Sequence, residues 1–207
     1  MIYEEEMKII GLYRNSPFKE FTLQEIMQKL NKKSYYWAHN AVKKLQKEGI
    51  IEIRKAGKTL LCSFNFSNWK AIAHLAYSES LASHNAIPKL LAEKIIDLLS
   101  KCTPFFILIV GGSYAAGSAK KSSDIDIAVI IEDESIKKAI KPYFANATEL
   151  SEIKVDEHIF TKAEFREMLI NQEENLGKEL ARKHVIAFGA DSYYSLIIGA
   201  HKNGFQG

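Results

Sequence analysis

The sequence predicts two modules: three helices and a β-hairpin, then a small α/β (α+β) domain in which a mixed sheet is flanked by helices. Three observations carry this expectation. Helical apolar spacing in the first 49 residues gives way to alternation around a glycine turn in "IIEIRKAGKTLLCSFNF". Farther on, "FFILIVGG" and "DIDIAVII" are short, continuously apolar runs, the pattern of strands buried on both faces. Charge is also divided: residues 1–66 hold 12 Lys+Arg against 7 Asp+Glu, whereas the remainder holds 16 against 18, which suggests modules with different partners.

Composition narrows the class further. An apolar content of 47% with 26% charged residues is that of a soluble globular protein able to bury a core. The start "MIYEEEMKII" places glutamates where a secretory signal would need positive charge, and "FFILIV" is too short to span a bilayer. Cys62 and Cys102 lack ligand-spaced partners and read as reduced thiols. The expectation is a cytoplasmic protein without a membrane partner.

Element by element, Ile2, Ile9, Ile10, Leu12 and Tyr13 mark a first helix that stops at Asn15-Ser16-Pro17. Thr22 with Glu25 forms a capping box ahead of Leu23, Ile26, Met27 and Leu30. Ser34 can cap a third helix that buries Trp37, Ala38, Ala41, Val42 and Leu45 and ends at Gly49. The hairpin follows, with basic residues at its tip. This order over residues 1–66 resembles a winged helix-turn-helix domain. The resemblance implies a third helix in a major groove and a hairpin wing on phosphates. By position, Ser34, Tyr35, Tyr36, His39, Asn40 and Lys43 would face a duplex, with Arg54, Lys55 and Lys58 on the wing. Lysine-rich helix faces are also commonly just solvated, and such domains serve as protein-docking units too.

Residues 67–102 read as a helical connection. Trp69, Ile72, Ala73, Ala76 and Tyr77 form one apolar stripe, and Pro88 fits the first turn of a helix carrying Leu90, Leu91, Ile95, Leu98 and Leu99. Residues 103–207 form the α/β module. To the two apolar strands it adds "IKVDEHIF", with Ile153, Val155 and Ile159 on one side and Asp156 and His158 on the other, and a fourth strand in "KHVIAFGA". Helical segments are expected at 135–144, 163–171, 173–182 and 191–198.

The chemistry concentrates in "GGSYAAGSAKKSSDIDIAVI". Residues i and i+2 of a strand share a face, so Asp124 and Asp126 present two carboxylates together while Ile125, Ile127 and Val129 fill the other side. Two like charges so placed resist desolvation. A divalent cation relieves this, because carboxylate oxygen is the donor Mg²⁺ prefers. Gly111-Gly112 lets backbone approach a ligand, and Ser113 offers a hydroxyl and an amide at the start of a short helix. Either half of the pattern alone is common.

The combination of strand, Gly-Gly-Ser, ten residues, Ser-Asp-Ile-Asp and strand resembles the polymerase-β-type nucleotidyltransferases, and within them the minimal (MNT) group. The resemblance implies that Gly112 and Ser113, with Ser123 and Lys121, hold the phosphates of ATP or another nucleoside triphosphate. It implies that Asp124 and Asp126 bind Mg²⁺ or Mn²⁺. A third carboxylate there activates the attacking hydroxyl; Asp156 is the candidate, or Glu157 if the strand's register shifts by one. One departure stands out. The family commonly carries arginine in "GSxARG", whereas this chain reads "GSYAAG" with Ala116 in that place. Lys120 or Lys121 would have to supply the cation, unless both are plain loop charges.

Two functions are thus expected from the sequence. The first is transfer of a nucleoside monophosphate, AMP from ATP, to an acceptor hydroxyl. The likeness to MNT antitoxins points to an acceptor on a partner protein, a HEPN-type toxin; the antibiotic-modifying members of the superfamily point instead to a small molecule. The alternative is a DNA-binding transcriptional regulator whose second half senses nucleotide or is inactive.

Overall fold

Among the described residues, four of the helices begin at a side-chain cap that the chain supplies in Thr22, Ser34, Thr161 and Asn175. The structure, a computed structural model, describes residues 2, 4–149 and 151–206. It divides into two units, one within residues 1–78 and one within residues 79–206.

In the first unit, α1 (Glu4–Gly11) precedes the two-residue strand β1 (Phe21–Thr22), then α2 (Leu23–Lys29) and α3 (Tyr35–Lys47). β2 (Ile51–Ala56) and β3 (Thr59–Phe64) form the hairpin, with Gly57 at positive φ in its turn. The Thr22–Glu25 capping box is present, and Ser34 Oγ accepts from the Trp37 amide at 3.2 Å. β1 pairs antiparallel with β3, giving the order β1-β3-β2. Two residues carry no period, so the sequence gives no sign of β1. Ile9, Ile26, Val42, Leu45 and Ile51 fill the core, and the Tyr13 hydroxyl donates to the Cys62 carbonyl at 2.8 Å.

The unit boundary falls within α4 (Trp69–Ala86). Here the expected stripe is corrected: Trp69 and Tyr77 are 73% and 55% exposed, and the buried positions are Ala71, Leu75, Ser78, Glu79 and Ala86. Apolar residues surround this helix on most sides, so spacing alone could not choose the face. Glu79 is buried because its partners are too, as described below.

The second unit adds α5 (Lys89–Ser100), β4 (Ile107–Val110), α6 (Gly112–Ala115), β5 (Ile125–Ile131), α7 (Glu134–Glu149), β6 (Val155–Thr161), α8 (Lys162–Ile170), α9 (Leu176–Arg182), β7 (Val185–Phe188) and α10 (Ala190–His201). Pro88 sits at the N-cap of α5, one position before the first turn, and Leu90 is exposed. α9 starts three residues later than its periodicity predicts, because the Asn175 side chain caps it by accepting from the Lys178 amide. The sheet order is β6-β5-β4-β7; β5 and β6 are parallel and the other pairs antiparallel.

The alternation of β5 sorts the two faces. Ile125, Ile127, Val129 and Ile131 join Leu91, Ile95 and Leu99 of α5 and Ile140 and Phe144 of α7 in one buried cluster. Asp126 therefore lies on the opposite face. At the far edge, Glu79 accepts from the Tyr194 hydroxyl at 2.6 Å and the Ile186 amide at 3.0 Å, and its carboxylate lies 3.5 Å from His184 Nε2. Burial opposes ionisation of Glu79, yet His184, Tyr194 and the Ile186 amide together hold its carboxyl below the usual range.

Candidate active site

A glycine pair follows β4 where the chain runs close to Asp126. The Gly111 amide donates to the Asp126 carbonyl at 2.9 Å, and a Cβ on Gly111 would come 2.9 Å from Leu180 Cδ2. Gly112 is more constrained. Its φ is +55°, and a Cβ there would fall 1.8 Å from Asp126 Oδ2. The turn and the carboxylate occupy adjoining space that only backbone can share. Ser113 follows at the start of α6, and the Ser118 amide closes the loop on the Ser113 carbonyl at 2.9 Å.

Ser123 is engaged in the loop itself: its Oγ accepts from the Lys120 amide at 2.9 Å. The side chains of Lys120 and Lys121 are exposed, and among the described residues neither makes an ion pair.

Parallel pairing sets Asp126 in register with Asp156, and Ala128 with His158. Strands in a ladder lie about 4.8 Å apart, so the two aspartates stand side by side on one face. Burial first, and the charge of Asp156 second, push the Asp126 carboxyl above the usual range; Glu179 of α9 adds to this and His158 works against it. His158 Nε2 lies 3.5 Å from Asp156 Oδ2, and its ring stacks on Phe160. Glu157 turns the other way and accepts a hydrogen bond from the Thr148 hydroxyl on α7.

Asp124 precedes β5 and is paired with Lys154, whose Nζ lies 2.6 Å from Asp124 Oδ2. The sequence reading had no role for Lys154 or Glu179. Lys154 sits two residues before Asp156, a signal that only the parallel register converts into proximity; nothing in the sequence ties α9 to this face. Among the described residues, no group of three or more His, Cys, Asp or Glu side chains is gathered closely enough to hold a metal ion by itself. The donors are nonetheless carboxylate oxygens beside a glycine cradle, the chemistry a hard divalent cation requires.

Residues 93–191 match the family described as Polymerase beta, Nucleotidyltransferase. The matched span takes in the Gly-Gly-Ser turn, Asp124, Asp126 and Asp156, and the match supports a polymerase-β-type nucleotidyltransferase domain in the second unit. No curated protein and no solved structure matches the chain. Among the described residues, no helix is long and apolar enough to cross a membrane.

On the first unit, Tyr35 and Tyr36 are 60% and 76% exposed, and Tyr35 stacks on His39. Asn40, Lys43, Lys55 and Lys58 are also exposed, with the Lys43 ammonium donating to Gln46. Arg54 is held by Glu20, and Ser34 is used as a helix cap.

Proposed function

We propose that the second unit transfers a nucleoside monophosphate, AMP from ATP, to an acceptor hydroxyl. The observation that carries this reading is the interlock of Gly112 with the Asp126 carboxylate, which sets the Gly-Gly-Ser turn directly against a carboxylate. Asp124, Asp126 and Asp156 would hold Mg²⁺ or Mn²⁺, which when bound neutralises phosphate charge and acidifies the attacking hydroxyl. Gly112 backbone and the Ser113 hydroxyl bind and orient the triphosphate. Asp156 accepts the proton as the acceptor oxygen bonds to the α-phosphorus and the bond to pyrophosphate breaks. Its neighbour His158 orients that carboxylate. The open face at Asp156, 59% exposed, suits a hydroxyl presented by a partner protein, as in the MNT antitoxins that the sequence resembles.

Incubation with labelled ATP and candidate acceptors, HEPN-type proteins among them, tests this. Wild type should incorporate label and Asp124→Ala/Asp126→Ala should not. Equal incorporation by both rejects the assignment.

A second activity rests on the first unit. Exposed Tyr35, Tyr36, Lys55 and Lys58 beside a hairpin suit a winged-helix contact with DNA, in which Arg54 serves the wing only by releasing Glu20. Such binding would make the protein a regulator as well as an enzyme.

A further inference from the structure

The Gly-Gly-Ser turn presents no cation of its own. Ala116, at the C-terminal end of α6, carries no charge, and the loop lysines Lys120 and Lys121 are exposed without ion pairs among the described residues. A polyanionic substrate beside three carboxylates needs positive charge, and metal alone leaves the outer phosphates unmatched. Lys154 is the cation at the carboxylates. Its carbonyl accepts from the Ile125 amide at 2.9 Å, which fixes its backbone beside the Asp124–Ile125 step. From there its ammonium reaches Asp124 Oδ2 at 2.6 Å, and the side chain is 79% exposed.

An exposed pair of this kind is easily exchanged. Asp124, which Lys154 pairs with, and Asp156, two residues along from the lysine, are also carboxylates to which a divalent cation would be drawn. Were Asp124 to hold a divalent cation, Lys154 would lose this partner, and its flexible four-carbon stem would let the freed ammonium turn to another anion. We propose that Lys154 supplies the missing phosphate-binding charge: it neutralises Asp124 when no metal is bound and turns to a phosphate oxygen of the nucleoside triphosphate when metal takes its place. This rests on the nucleotidyltransferase reading above, and makes Lys154 a substrate-binding residue outside the turn motif.

The test uses the full chain and two probes, Mn²⁺ alone and a non-hydrolysable ATP analogue with Mg²⁺, each titrated by calorimetry. Lys154→Met should weaken analogue binding about tenfold, as loss of a charge-assisted hydrogen bond does, and Lys154→Arg should recover most of it. Mn²⁺ alone should bind Lys154→Met at least as tightly as wild type, because its competitor is gone. Unchanged analogue affinity in Lys154→Met, or weaker binding of Mn²⁺ alone, overturns the role of Lys154 and leaves the site reading intact. If wild type binds neither probe, the site reading itself falls.

Discussion

At the scale of single residues, Gly112 is the position least open to change. A methyl group there must both adopt a left-handed backbone and displace the Asp126 carboxylate. Gly112→Ala should lower stability by about 1–2 kcal/mol from the backbone alone and abolish Mn²⁺ binding, as read by thermal unfolding and electron paramagnetic resonance. Asp126 shows the opposite trade. Its carboxyl is raised above 3.8 in the folded protein, so the fold loses stability as pH rises from 3.8 through that raised value. Asp126→Asn should therefore unfold at a higher temperature than wild type at pH 7, with the difference vanishing below the unfolded value, while losing metal. The Gly-Gly-Ser turn and the Asp124–Asp126 spacing are local in the sequence and legible there, whereas the register of Asp126 with Asp156 is not. Nor was Lys154, since its contact with Asp124 spans 30 positions and exists only through strand pairing.

Among the elements, the helices and major strands followed from apolar period and capping residues, with ends displaced by a few positions. Thr161 shows why a cap is informative. It closes β6 and opens α8 through a second capping box with Glu164, whose carboxylate also pairs with Lys137 of α7. Thr161→Ala should cost about 1 kcal/mol in chemical denaturation and leave ATP-analogue affinity unchanged. β1 escaped notice because its pairing with Cys62 and Leu61 is set by the hairpin rather than by its own two residues. The face of α4 was misjudged for a related reason: a buried glutamate, which no hydrophobic count would place inside, fixes which side turns inward.

On the scale of the whole molecule, that glutamate links stability to acid. The Glu79 carboxyl is held below 4.5, so its contribution is present above that value and is lost as pH falls through the lowered one. Denaturation midpoints of wild type should drop steeply in this range, and Glu79→Gln should flatten the drop. Glu79→Ala should cost about 1–3 kcal/mol at neutral pH, because the buried Ile186 amide and Tyr194 hydroxyl lose their acceptor. Charge division gives a separate expectation. If the first unit meets DNA, Lys55→Glu/Lys58→Glu should abolish a mobility shift, and the wild-type shift should weaken steeply with added salt.

The buried glutamate also bears on how the second unit could be handled in isolation. Trimming the protein to the 99 residues spanned by the family match, 93–191, would discard Glu79 and Tyr194 together. The Ile186 amide would then be stripped of its acceptor inside the apolar interior. Such an excised piece should collapse into aggregates on expression, whereas one beginning before residue 79 and reaching past residue 205, whose phenylalanine ring is buried, should remain folded.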